Sequence, residues 1–156
     1  MFEALENSTA AIWVGESLWG YPLLLGLHVV GLAIVAGIFI MLDLRILGLN
    51  KGVAYESFLS LFPLAWIGLA INAMSGTALF SSQATTFISN TPFLFKIGSI
   101  TVGIICAVLI RGRLRLSAAS WDAPGAGASG ATRLMAVVSL FSWIGAIAAG
   151  RLIAYL

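Results

Sequence analysis

The sequence predicts an all-α fold, an integral membrane four-helix bundle with a short N-terminal interfacial helix. Three observations carry this reading. Of 156 residues, 60% are hydrophobic and 9% charged, with mean hydropathy +1.05; a soluble domain holds roughly 45–50% apolar and about 25% charged residues. The apolar residues gather into four runs of about 20, the helix length that crosses a bilayer core about 30 Å thick. The basic residues cluster on the loops of one side, as in multi-pass chains that obey the positive-inside rule. What the runs leave over is too short for a water-soluble catalytic domain. The net charge of +2 gives no basis for nucleic-acid binding. A single cysteine, Cys106, excludes an intrachain disulfide and any cysteine-pair metal site. It lies mid-run and reads as a small buried hydrophobe.

The elements follow in order. The opening "MFEALENSTAAIWVGESLW" lacks the basic and apolar regions of a signal peptide and carries Glu3, Glu6 and Glu16. Phe2, Leu5, Ile12, Trp13 and Trp19 among these acids suit a segment lying on the membrane surface. The first span covers 21–42, with Pro22 in its first turn, where a missing N–H costs nothing. The second covers 58–80. The third covers 92–110, again opened by a proline, and the fourth covers 134–155. Between the last two, "SAASWDAPGAGASGAT" is small, Gly-rich and polar, and reads as a flexible cytoplasmic loop over 117–132. All four spans belong to one transmembrane domain covering 1–156.

Charge sets the expected orientation. Arg45, Lys51, Arg111, Arg113, Arg115 and Arg133 fall on one side, which becomes cytoplasmic. The other side holds the N-terminal acids with only Lys96 and Arg151. Both termini then face the periplasm of a bacterial inner membrane, with the lipid bilayer as the chain's first partner.

Depth singles out four residues. The run "GLHVVGLAIVAGIFIMLDLRIL" carries the chain's only histidine, His28, about two turns in, roughly 10 Å at 1.5 Å per residue. Met74 lies at a similar depth on the second span, with Lys96 and Arg151 about one turn in on the third and fourth. An imidazole and a thioether below two cations suit haem b, whose iron takes an axial His and often a second His or a Met. Its propionates need cations at the rim. Gly26, Gly31, Gly76, Gly145 and Gly150 would let a flat ring between helices, although small residues also simply let membrane helices approach. Other readings stay open. His28 can serve as an interhelical hydrogen-bonding group, another metal's ligand or a proton carrier; Met74 can be core packing. Lys96 and Arg151 can snorkel to headgroups or grip lipid phosphate. Asp43 and Arg45 read as a boundary pair orienting the first helix. Asn72, with Gly68, Ser75 and Gly76, forms a small polar stripe that faces protein rather than lipid, so Asn72 reads as interhelical glue before substrate contact.

The segments "LDLRILGL", "MSGTALF", "NTPFLFKIGSI" and "AAGRLIAY" resemble a family of small four-helix bacterial inner-membrane proteins. That family is itself distantly similar to CopD-like copper-resistance domains and HemJ-like protoporphyrinogen oxidases. The resemblance covers the chain from Tyr21 onward. It implies a bundle with His28 near a haem, a porphyrin or copper, and further polar positions at Asn90 to Lys96 and Arg151. It departs at the third span, which ends "AVLIRGR" and has neither histidine nor acid; this argues against a bis-histidine haem and a copper path. The expected function is therefore haem b binding near the periplasmic face, for electron transfer or porphyrin handling, alone or within a larger membrane complex or homo-oligomer. If the chain is an enzyme, it is an oxidoreductase acting on porphyrin or quinone. The rivals are copper handling by His28, Met41 and Met74, where soft thioethers and imidazole suit the metal, and a cofactor-free structural or assembly subunit.

Overall fold

The computed structural model describes residues 2–49, 51–153 and Tyr155. It contains α1 (Phe2–Glu6), α2 (Thr9–Glu16), α3 (Gly20–Ile46), α4 (Tyr55–Ser81), α5 (Ala84–Ile88), α6 (Thr91–Trp121) and α7 (Gly130–Leu152). No strand occurs among the described residues. Four of these helices, α3, α4, α6 and α7, are long and apolar enough to cross a membrane, and the chain is a multi-pass helical membrane protein. The bundle is two hairpins, α3 on α4 and α6 on α7, joined through α3–α7 and α4–α6 contacts. The end where α3 begins and α7 finishes is called the terminal end below. The opposite end, with the α3–α4 and α6–α7 connections, is the loop end.

Helix starts are fixed locally. Ser8 caps α2 by accepting from the Ala11 N–H at 3.3 Å, and Asn90 caps α6 by accepting from Phe93 at 3.0 Å. Ser129 caps α7, accepting from the Thr132 N–H at 3.3 Å. Each satisfies one of the orphan donors of a first turn. At the terminal end, α1 and α2 pack on α5, α3 and α4, and the Glu6 carboxylate accepts from both the Thr85 N–H (2.8 Å) and its hydroxyl (2.7 Å).

The helices outrun their hydropathy. The third span was expected over 92–110, yet α6 continues to Trp121. Arg111, Arg113 and Arg115 end the apolar run without ending the helix, because Leu114 and Ala118 stay buried against the core. The expected flexible loop over 117–132 shrinks to the eight residues 122–129. Its first residue, Asp122, is held: it accepts from the Tyr55 N–H at 2.9 and 3.1 Å and pairs with Arg45 at 3.2 Å. Arg45 also donates to the Val53 carbonyl at 2.6 Å and lies 4.0 Å over the Tyr55 ring. One carboxylate thus caps α4 and ties it to the ends of α3 and α6.

Close approach of α3 and α4 depends on two glycines. A Cβ on Gly31 would lie 2.7 Å from the Asn72 nitrogen and 2.8 Å from the Gly68 carbonyl. A Cβ on Gly68 would lie 2.7 Å from Ile34. Lipid offers no hydrophobic drive for helix association, so such backbone contact is what holds membrane helices together. Gly31→Ala should therefore destabilise the bundle by about 1–3 kcal/mol. Gly37→Ala, with nothing within 4 Å of the added carbon, should change stability little. Equilibrium unfolding of both variants in detergent checks the contrast.

Candidate functional site

The site forms where the helices come together at the terminal end. His28 of α3 faces α4. Its Nδ1 lies 3.0 Å from the Asn72 carbonyl and 3.2 Å from the Ser75 hydroxyl oxygen. A carbonyl only accepts, so Nδ1 carries the ring proton. Asn72 answers with its amide nitrogen, which donates to the His28 carbonyl at 2.8 Å. The Ser75 hydroxyl donates to the Ile71 carbonyl at 2.6 Å, leaving its lone pair toward the ring. Gly76 makes room: a Cβ there would come within 2.9 Å of His28 Cε1. Spacing explains the convergence, because Asn72, Ser75 and Gly76 stand three and four residues apart on one face of α4.

The other ring nitrogen meets α6. Lys96 Nζ lies 3.2 Å from His28 Nε2, so the ammonium donates and the imidazole accepts. The lysine stem rests on Gly150 of α7, where a Cβ would lie 3.6 Å from Nζ. One histidine, one lysine, one amide and one hydroxyl therefore join all four long helices. No carboxylate among the described residues pairs with Lys96.

The other two candidates stand apart. Met74 is 75% exposed; at about 100° per residue it points roughly 200° away from Asn72. The structure places its thioether on the outer surface and does not bring it to His28. Met41 is exposed as well, so neither thioether reaches the imidazole. Arg151 is exposed beside Tyr155, with its guanidinium 5.6 Å from that ring; only its neighbour Gly150 touches Lys96. Asn90 is the α6 cap. Among the described residues no group of three His, Cys, Asp or Glu gathers as a metal cluster.

The boundary pair expected of Asp43 and Arg45 is replaced by two separate arrangements. Arg45 turns to Asp122 and Val53. Asp43 turns inward, 1% exposed, toward Ser139 of α7. Two residues are about 200° apart on a helix, so they cannot share a face.

No protein-family model, curated protein or solved structure matches the chain. None of these comparisons bears on the CopD-like and HemJ-like likeness, and the site is read from its own geometry.

The arrangement gives Asn72 and Met74 opposite roles despite their two-residue separation. Asn72→Ala should cost about 0.6–1.7 kcal/mol, the range of interhelical hydrogen bonds in a membrane. Met74→Leu should be neutral to within about 0.5 kcal/mol. Unfolding free energies measured in detergent check both, and a larger loss for Met74→Leu would overturn its placement on the surface.

Proposed function

We propose that the chain is a bacterial inner-membrane protein that binds haem b at the His28–Lys96 centre and serves electron transfer or porphyrin handling. One observation carries this reading. His28 is oriented as ligating histidines are, with its Nδ1 proton given to a backbone carbonyl and Nε2 left as the electron-pair donor. Beside Nε2 stands a half-buried lysine with no acidic partner among the described residues, which is what a propionate-bearing ring needs at its rim. The residues fit such a group in part. His28 would supply one axial nitrogen on displacement of Lys96, and Lys96 would meet a propionate. Neither Met74 nor Arg151 contributes, so the reading narrows to a single protein axial ligand. The haem would supply a one-electron couple; the protein's own share is to orient the imidazole and place one positive charge. For orientation, the excess of arginine and lysine at the loop end supports both termini in the periplasm.

A second reading has its own observation. Lys96, His28, Asn72 and Ser75 hydrogen-bond around one ring, as a purely structural clasp would, and this favours a cofactor-free scaffold. Copper handling has weaker support, since both exposed thioethers lie off the imidazole.

Absorption spectroscopy separates the readings. Protein purified from haem-replete cells should show a Soret band, His28→Ala should lose it, and Lys96→Gln should shift it or weaken haem retention. Met74→Leu should leave it unchanged. A colourless wild type that takes up no haem on titration would leave the scaffold reading. Alkaline phosphatase fused after Leu152 should be active, and an inactive fusion would reverse the orientation.

A further inference from the structure

A second polar centre lies deeper, fifteen residues after His28 on α3 and about 22 Å along its axis. Helices α3 and α7 run antiparallel in a clear register. Phe39 stacks on Trp143 at 5.4 Å, and one turn toward the loop end Asp43 comes beside Ser139. Asp43, Ser139 and Trp143 are each 1% exposed. Among the described residues Asp43 Oδ2, Ser139 Oγ and Trp143 Nε1 are buried and make no hydrogen bond of good geometry, although the Ser139 hydroxyl lies close enough to the Asp43 carboxyl to act on it. Three orphaned polar atoms on one helix seam are unusual, because each unpaired group in a dry interior carries its full desolvation cost. Helix α6 packs closely on this side, where only a glycine fits against the indole. Gly103 faces the indole edge, where a Cβ would lie 3.2 Å from Nε1, and the buried Cys106 follows one turn on.

Among the described residues no counter-charge reaches the carboxyl. On α3 itself Arg45 is held by Val53 and Asp122. On α6 the Arg111 guanidinium sits 5.5 Å over the Phe62 ring, Arg113 donates to Ser129 and Thr132, and neither forms an ion pair among the described residues; Arg115 is exposed, and Cys106 is the buried thiol of that helix. On α4 the titratable groups, Tyr55 and Glu56, lie in the first turn, and α7 brings the hydroxyl and the indole, its charged residues Arg133 and Arg151 standing near its two ends. A bare carboxylate at such a place is costly, and acids inside membrane spans mark proton or ion pathways. The donor set selects between these. An indole N–H repels a metal cation but donates readily to water, and a buried water makes about three hydrogen bonds to polar groups that lack partners.

We propose that Asp43, Ser139 and Trp143 form a hydrated proton-binding site, in which the carboxyl takes up a proton delivered through water from the loop end. The step is simple in its balance. A proton from water joins the carboxylate oxygen, hydroxide remains in the aqueous phase, and no electron moves. Water in the seam accepts from the Trp143 N–H and bridges Asp43 to Ser139. This proposal is independent of haem at His28.

Infrared spectroscopy of the whole protein in lipid vesicles tests it. Aspartate labelled with 13C at the side-chain carboxyl marks only Asp43 and Asp122, and it separates their bands from lipid esters. At neutral pH the labelled protein should show a protonated-carboxyl band. That band should be absent in Asp43→Asn, shift in D2O, move in frequency in Ser139→Ala, and give way to a carboxylate band as pH rises. Two results would overturn the proposal. One is the absence of any protonated-carboxyl band at neutral pH. The other is a protonated band that neither shifts in D2O nor responds to pH, which would mean a sealed acid without water. Both are read on the wild type, so a variant that fails to fold does not rescue the idea.

Discussion

The reciprocal hydrogen bonds between His28 and Asn72 are the constraint on which the rest of the bundle depends. Each residue gives a side-chain N–H to the other's backbone carbonyl, so α3 and α4 are locked in rotation and in height together. The lock closes only because Gly31 and Gly68 let the two backbones meet. It also decides the chemistry. With Nδ1 committed to α4, Nε2 must face α6, and there Lys96 waits with its stem against Gly150 of α7. A residue that would be costly alone in hydrocarbon becomes a junction of four helices.

The same geometry divides the interior into levels. The histidine centre occupies the terminal end. Below it comes an aromatic layer in which Phe39 meets Phe62, Trp66 and Trp143. The Asp43 centre follows, and at the loop end Asp122 ties Arg45 to the start of α4. Polar levels alternate with apolar packing, and glycine or alanine marks the places where helices come closest. A bundle built this way turns its buried polar groups toward other helices and leaves large apolar side chains such as Met74, Phe141 and Leu116 on the outer surface.

Much of this was legible in the sequence, and the failures share one cause. Hydropathy locates the four spans because a membrane helix must be apolar over about 20 residues. It does not locate helix ends, since Arg111 to Arg115 are polar and still helical. Depth is also readable by counting along the chain, and it singles out His28 and Lys96 together with Met74 and Arg151, which the structure does not bring to the ring. Rotation about the helix axis is not readable in an all-apolar run: no polar face tells Met74, pointing outward, from Ser75, pointing in. Asn72 was recognised as interhelical glue because Gly68, Ser75 and Gly76 share its stripe. Asp43 and Arg45 read as a boundary pair because an acid and a base close an apolar run, while the residue beside Asp43 in space, Ser139, is an ordinary serine on α7. Asp122 was lost in a Gly-rich stretch whose composition signals mobility.

The central claim is the orientation of His28, and nitrogen-15 NMR of the histidine-labelled protein tests it most directly. The chain has one histidine, so every ring signal belongs to His28. In lipid, before any haem is added, the account requires the Nδ1–H tautomer, with the proton hydrogen-bonded to the Asn72 carbonyl and Nε2 unprotonated against Lys96. An Nε2–H tautomer would contradict it. So would a ring protonated on both nitrogens at neutral pH, because Lys96 would then face a donor instead of an acceptor and the junction of the four helices would lose its central bond.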